Sequence, residues 1–180
     1  MFAETLKLVV ALDRKPSESL PGRLHDLFRR LQTAESPAEA AETEDAIWAA
    51  WMKPRRGRAA DELERATRAI VAADYAFADR ILAALTMAYP DYAEAWNKRA
   101  TLYYLQSQDA ASVASIRRTL ELEPRHFGAI CGFGQILLDR GDRAEAAFAF
   151  DAALRLNPHL DANVRETART LLSSPEMLPQ

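Results

Sequence analysis

The sequence has few of the residues from which covalent and metal-bound sites are built. It contains one cysteine, Cys131, and three histidines, His25, His126 and His159, which stand far apart along the chain. A single cysteine cannot form an intrachain disulfide, and no ligand set has the spacing of a metal site. Serines with the surroundings of a catalytic nucleophile are also missing. The sequence therefore predicts no metal, no cofactor and no enzyme activity.

Long apolar runs are missing as well. No run approaches the roughly 18 apolar residues of a transmembrane helix. The short apolar stretch at residues 6–12 is interrupted by Lys7, and it has neither a basic region before it nor a small-residue cleavage site after it, so it is not typical of a signal peptide. We expect a soluble, cytoplasmic protein, or a periplasmic one if the true start encodes an export signal.

Lysine is scarce, with four lysines against nineteen arginines, a bias that together with abundant alanine is typical of a GC-rich bacterial proteome. The formal net charge is -3, and 49% of the residues are hydrophobic, as in an ordinary globular protein. The basic run at Arg55, Arg56 and Arg58 follows Pro54 and is predicted to be a loop. Because it lacks aromatic residues for base stacking and the chain is acidic, we expect no nucleic-acid binding.

What the sequence does contain is an internal repeat of 34 residues. Pro90, Pro124 and Pro158 stand at that interval. In register with them, small residues recur at Ala66, Ala100 and Gly134, and large apolar residues recur at Leu82, Ile116 and Phe150. A unit of this length cannot bury its own apolar face, so neighbouring units are expected to stack.

Each unit is predicted to be two helices and a turn. Ile130, Phe133 and Leu137 fall on one face of a helix, which Gly141 is predicted to end. Asp142 with Glu145 has the form of a capping box that opens the next helix. Nearer the start of the chain, residues 36–39 combine another capping box with a proline at the first helical position.

These units resemble the tetratricopeptide repeat family. One unit carries the resemblance through Trp96, Ala100, Tyr103, Leu120 and Pro124, and the next through Gly134, Leu137, Gly141, Ala146, Phe150, Ala153 and Pro158. The resemblance implies an all-α, right-handed superhelical array of helix-turn-helix repeats with a C-terminal capping helix.

The units divide the chain as follows. We expect an N-terminal tail (1–20), a divergent helical hairpin with a basic loop (21–58), three repeats (59–92, 93–126 and 127–160), a capping helix (161–174) and a C-terminal tail (175–180). Two places depart from the family pattern. Glu62 and Arg65 stand where large apolar residues are usual, and Phe28 stands where a small residue is usual.

The resemblance also implies where a partner binds. In this family the first helix of each unit lines a concave groove, and outward positions include Glu94, Gly128 and Gly132. The predicted partner-binding residues are Asn97, Lys98, Thr101, Tyr104, Cys131, Gln135, Leu138 and Arg165. The function implied is a non-catalytic scaffold that binds a peptide or helical segment of another protein. A merely solvated helix face is the alternative for these residues.

Three features allow two interpretations each. Trp48 and Trp51, with Ile47 and Met52, are either core or an exposed surface. The alternative function is a structural protein that self-associates into a homo-oligomer through this Trp48/Trp51 surface or through an uncapped end of the array. Cys131 is either a reactive thiol or a small side chain that fills space. The Gly-Phe-Gly run at 132–134 superficially resembles a phosphate loop, but it lies inside a predicted helix with no strand before it, which favours close helix packing.

Overall fold

The computed structural model describes residues 1–18, 20–52 and 58–173. The predicted basic loop, apart from Arg58, and the predicted C-terminal tail lie outside these ranges. All regular secondary structure in the described residues is helical. The helices are α1 (Phe2–Val10), α2 (Leu24–Gln32), α3 (Pro37–Met52), α4 (Arg58–Val71), α5 (Tyr75–Ala88), α6 (Ala93–Leu105), α7 (Asp109–Leu122), α8 (Phe127–Asp139), α9 (Arg143–Leu156) and α10 (Ala162–Leu172).

Six of these helices form three consecutive pairs, α4 with α5, α6 with α7 and α8 with α9, and α10 packs against α9. Adjacent pairs also contact each other, α5 with α6 and α7 with α8. The predicted all-α array of stacked helix pairs is therefore confirmed. None of the helices in the described ranges is both long enough and apolar enough to cross a membrane.

Small residues let the paired helices approach closely. Ala66 and Ala100 are almost fully buried, and the Ser112 hydroxyl of α7 donates to the Ala100 carbonyl oxygen of α6 at 2.9 Å. A Cβ atom added to Gly134 would lie 3.1 Å from the Phe150 ring on the paired helix. A large side chain at these positions would force the helices apart, which is why small residues recur there.

The turn inside each pair repeats its backbone conformation. Ala73, Ser107 and Gly141 stand 34 residues apart in sequence, and all three have positive φ, 56°, 58° and 83° respectively. The 34-residue period is thus visible in the backbone as well as in the side chains. Glycine occupies this position in the third turn, where it adopts the left-handed conformation without a Cβ clash.

The two predicted capping boxes have different outcomes. The Ser36 hydroxyl accepts from the Glu39 backbone N–H at 3.1 Å, and α3 begins at Pro37, which confirms one half of the first. In the other half, the Glu39 carboxylate accepts from the Glu35 backbone N–H at 3.2 Å, one residue before the predicted donor. The second is wrong in its hydrogen bond. Asp142 does precede α9, but its side chain makes no bond to the first turn and instead accepts from the Arg140 Nε at 3.0 Å.

The first twenty residues differ from the predicted tail. The helix α1 packs against α7 and α9, the second helices of two pairs, with Thr5 and Val9 fully buried. The Phe2 ring lies 6.3 Å from the Phe133 ring, and the Arg140 guanidinium lies 4.2 Å from the Phe2 ring centroid. The helix forms because Phe2, Thr5 and Val9 lie on one face, which the outer side of the array covers.

The chain after α1 also follows the array. The Arg14 Nη2 donates to the Leu120 carbonyl oxygen at 2.8 Å, and the Ser17 backbone N–H donates to the Leu122 carbonyl oxygen at 2.8 Å. These acceptors belong to the last turn of α7, whose carbonyl groups have no partner within the helix. The N-terminal segment is therefore held along the array up to at least residue 17.

The hairpin of α2 and α3 does not extend the array in front of α4. It packs where α7 turns into α8, with the Trp51 ring 5.1 Å and the Phe28 ring 6.2 Å from the Phe127 ring. The Tyr92 hydroxyl donates to the Met52 carbonyl oxygen at 2.7 Å. The hairpin therefore lies along the edge where one pair turns into the next, and its apolar residues share one core with α6 to α10.

The departures at Glu62 and Arg65 now have a physical reason. The two side chains pair with each other at 2.8 Å on α4, and the Arg65 guanidinium lies 5.6 Å from the Phe77 ring. Arg68 pairs with Glu64 on the same helix. Because the hairpin packs elsewhere, α4 begins the stack and presents a charged face to solvent.

The left-handed turn predicts that alanine destabilises the protein at Gly141 but not at Gly22. Gly141→Ala is expected to destabilise the protein by about 1–2 kcal/mol, because alanine pays a steric cost at positive φ. Gly22→Ala is the matched control, since an added Cβ has nothing within 4 Å at either position and only Gly141 has positive φ. Urea denaturation of both variants measures the difference. Equal unfolding free energies would contradict the assigned turn.

Candidate functional site

The first helices of the last two pairs and the capping helix enclose a pocket of about 330 Å³, called here the central pocket. It lies between α6, α8 and α10 and reaches down to α7 and α9. Its lining residues are Asn97, Ala100, Thr101, Tyr104, Ser112, Ile116, Gly128, Ala129, Cys131, Gly132, Gln135, Ile136, Phe150 and Val164.

Five of the eight residues predicted to bind a partner line this pocket. They are Asn97, Thr101, Tyr104, Cys131 and Gln135. They come from two helices that are separate in sequence, and the stacking of the pairs brings them to one face.

The other three predicted residues lie outside the pocket lining. The Lys98 Nζ forms an ion pair with the Glu94 Oε1 at 3.2 Å and lies 5.9 Å from the Trp48 ring centroid. Leu138 is partly buried against the core. Arg165 is exposed on α10. The positive charge of Lys98 is therefore already paired with a carboxylate of the same chain.

The space in the pocket depends on glycine. A Cβ added to Gly132 would meet its nearest neighbour, the Ile116 Cδ1, only at 3.9 Å. The sequence predicts Gly132 as an outward position, but it does not predict that Ile116, Phe150 and Val164 line the pocket. Ile116 and Phe150 carry the 34-residue repeat, and that pattern predicts core positions alone. A periodic pattern assigns a side chain either to the core or to an exposed face of a helix. It does not indicate that a core side chain also lines a pocket between two helices.

The polar groups at one end of the pocket converge on one carboxylate. The Tyr104 hydroxyl donates to the Asp139 Oδ2 at 2.8 Å, and the Gln135 Nε2 donates to the Asp139 Oδ1 at 2.7 Å. The hydrogen bond to Asp139 raises the pKa of Tyr104, and partial burial and the charges of Asp139 and Asp109 raise it further. Both donors therefore hold the carboxylate in place at the pocket rim.

The surroundings of Cys131 disfavour the reactive thiolate form. Burial raises the pKa of its thiol to about 12, and the negative charge of Glu44 adds to the effect. The thiolate is the nucleophilic form, so a thiol that stays protonated is inert at neutral pH. The interpretation of Cys131 as a small side chain that fills space is therefore favoured. In the described part of the chain, no group of three His, Cys, Asp or Glu residues could hold a metal ion.

Beside the pocket lies a buried charged network centred on Glu94. Its carboxylate is fully buried and receives hydrogen bonds from the His126 Nε2 at 2.9 Å and the Asn97 Nδ2 at 3.1 Å. The Ala129 backbone N–H donates to the His126 Nδ1 at 3.2 Å, so the imidazole proton lies on Nε2 and points to Glu94. Asn97 is therefore held in place before any partner arrives.

The electrostatics of Glu94 follow from this geometry. Burial by itself would raise the pKa of its carboxyl group. The hydrogen bond from His126, together with the ammonium group of Lys98, outweighs burial and holds that pKa below its ordinary value. The carboxylate is consequently charged at neutral pH, and its partners are the reason that it can be buried.

The tryptophan cluster covers this network and is core. The Trp51 ring stacks on the His126 ring with centroids 4.0 Å apart and planes 10° apart, and Trp51 is 2% exposed. Trp48 packs edge-on against Trp51 with centroids 5.1 Å apart. A Cβ added to Gly128 would lie 2.7 Å from the Trp48 Cη2. Trp51 is therefore core and Trp48 is partly buried against the same core, which favours the core interpretation of the cluster. Self-association stays a prediction.

Two of the three glycines of α8 predict opposite effects of one substitution. Gly128→Ala is expected to destabilise the protein by about 1–3 kcal/mol, because the Trp48 indole is packed between other rings and cannot move aside freely. Gly132→Ala is expected to stabilise it by about 0.5–1 kcal/mol through helix propensity. Urea denaturation of both variants tests this. A loss of stability in Gly132→Ala would show that the pocket is not open there.

The Glu94 network predicts a pH-dependent loss of stability. Glu94→Gln is expected to cost about 1.5–3 kcal/mol at pH 7, the range for hydrogen bonds to a charged group. Because the folded pKa lies below the ordinary 4.5, the carboxylate stabilises the protein above that pH, and the contribution is lost as the pH falls through the folded pKa. The difference between variant and wild type should therefore shrink at pH 3.

Thermal or urea unfolding of both proteins at pH 7 and pH 3 measures this change. Glu166→Gln is the control, since Glu166 forms an exposed ion pair with Arg169 and is expected to change little at either pH. A constant difference across pH would contradict the buried carboxylate.

The comparison with known proteins agrees with the repeat architecture. No family model matches the sequence. A TPR repeat-containing protein of the bacterium Rhizobium etli is 31% identical to this chain over 152 residues, which cover 84% of this chain and 74% of that relative. The aligned region is long enough to include most of the stacked pairs. The chain therefore belongs to the tetratricopeptide repeat family.

Proposed function

We propose that this protein is a non-catalytic scaffold that binds an extended or helical segment of a partner protein across α6, α8 and α10. The central pocket carries the proposal, because it opens on the face formed by the first helices and is lined from three separate helices. Membership of a repeat family built for protein interaction supports a protein as the partner. Location in the cytoplasm stays a prediction.

The contents of the pocket also support binding rather than catalysis. Its polar side chains, Asn97, Tyr104 and Gln135, make hydrogen bonds that fix their orientation. Its one thiol is held protonated. A pocket with apolar side chains in its walls and oriented polar groups at its edge suits an apolar side chain that a partner inserts.

The N-terminal segment leaves this face available. The helix α1 packs on α7 and α9, and the hairpin packs along the turns between pairs. Among the described residues, none of α1 or α2 lines the central pocket. The face that a partner needs is therefore not filled by the described part of the chain itself.

The test is capture of a partner by a protein whose pocket has been filled. Gly132→Leu adds a side chain into the open space beside Ile116 and replaces glycine by a good helix former, so the fold is expected to persist. The amount of partner that the tagged variant captures from native cells should be at least tenfold lower than the amount that the wild type captures. Quantitative mass spectrometry measures both amounts.

The control is Met87→Ala, which changes a side chain that is 82% exposed on α5, far along the array. It should capture the partner as wild type does. Thermal unfolding checks that both variants are folded. If folded Gly132→Leu captured the same proteins in the same amounts, the central pocket would not be the binding site.

A further inference from the structure

The walls of the central pocket select for an apolar side chain. Ile116, Ile136, Phe150 and Val164 line its interior, and Gly132 opens the space above Ile116. Its volume of about 330 Å³ is at the small end for pockets that take whole ligands. That space suits one large side chain of a segment whose backbone stays outside.

The rim of the pocket selects for a positive charge. Tyr104 and Gln135 both donate hydrogen bonds to Asp139. Because these donors are already engaged, they are not available to an anionic group of a partner. Among the ion pairs of the described residues, none involves Asp139. The next residue, Arg140, pairs instead with Asp142. Asp139 is exposed and thus offers a positioned carboxylate.

Neighbouring charges strengthen this preference. The negative charge of Asp109 acts on the Tyr104 hydroxyl, and that of Glu44 acts on the Cys131 thiol. On α6, the Lys98 ammonium group is paired with the buried Glu94. Arg165 on α10 is exposed and does not line the pocket. The pocket is therefore an apolar cavity with an acidic rim.

We infer that the partner segment inserts one large apolar side chain into the central pocket and places a Lys or Arg beside it to pair with Asp139. This inference rests on the proposed function and names the chemistry of its ligand. An acidic segment, or a terminal carboxylate, would meet Asp139 and Asp109 with like charge and is excluded from this site.

Selection from a displayed library of random twelve-residue peptides tests the inference. Peptides enriched on the wild-type protein should carry Leu, Ile, Met or Phe within four residues of Lys or Arg. Affinities of the enriched peptides are then measured by fluorescence anisotropy. Asp139→Asn, which keeps the shape and an acceptor oxygen, should weaken binding about tenfold, and the loss should diminish at high salt.

A double-mutant cycle locates the contact. Replacing the peptide's Lys or Arg by Gln should weaken binding to wild type about as much as Asp139→Asn does, and should have little further effect on that variant. Asp151→Asn is the matched control, because Asp151 lies on α9, pairs with Arg155 and does not line the pocket. It should bind as wild type does.

The outcomes separate the two proposals. If enriched peptides lack basic residues, or if Asp139→Asn binds them normally while Gly132→Leu does not, the inference about charge is overturned and the pocket remains the binding site. If Gly132→Leu binds the peptides normally, both proposals fail. If no peptide is enriched although native capture depends on Gly132, the inference is overturned and the scaffold function stands.

Discussion

The structure depends on the close approach of paired helices. A helix pair of this length cannot bury its own apolar face, so each pair is stable only when its neighbour covers it. Buried small residues such as Ala100 and Gly134 allow that approach, and the contact of Gly134 with the Phe150 ring shows how little room remains. The central pocket follows from the same constraint, since it is the space left between first helices that are held at a fixed separation.

The N-terminal segment completes the core without lengthening the stack. Its helix α1 packs against α7 and α9, and the rings of Trp48 and Trp51 pack against those of His126 and Phe127 at the turn between α7 and α8. Two consequences follow. The helix α4 begins the stack with a charged face, and no part of the described N-terminal segment lines the pocket between α6, α8 and α10. The buried apolar residues of α1, α2 and α3 therefore belong to the same core as the repeats.

Two carboxylates near the central pocket, Glu94 and Asp139, have different roles. The buried Glu94 is matched by His126 and Lys98 and fixes Asn97 at the pocket wall. Within the described residues, the hydrogen-bond donors to Asp139 are the neutral side chains of Tyr104 and Gln135. The charge of Glu94 is paired within the chain and contributes stability. The charge of Asp139 is the one from which the proposed preference for a basic partner segment follows.

The sequence by itself determined the helix pairs, their turns and five of the pocket residues, because these follow from a 34-residue period and from the helical repeat within each unit. It also contained the sign that α4 begins the stack, in the polar Glu62 and Arg65. Tertiary structure alone decided where α1 and the hairpin pack, that Lys98 is paired with Glu94, and that Ile116 and Val164 reach the pocket. The physical reason is that these features depend on contacts between distant segments, and a periodic pattern specifies which face of a helix is apolar but not which partner covers it.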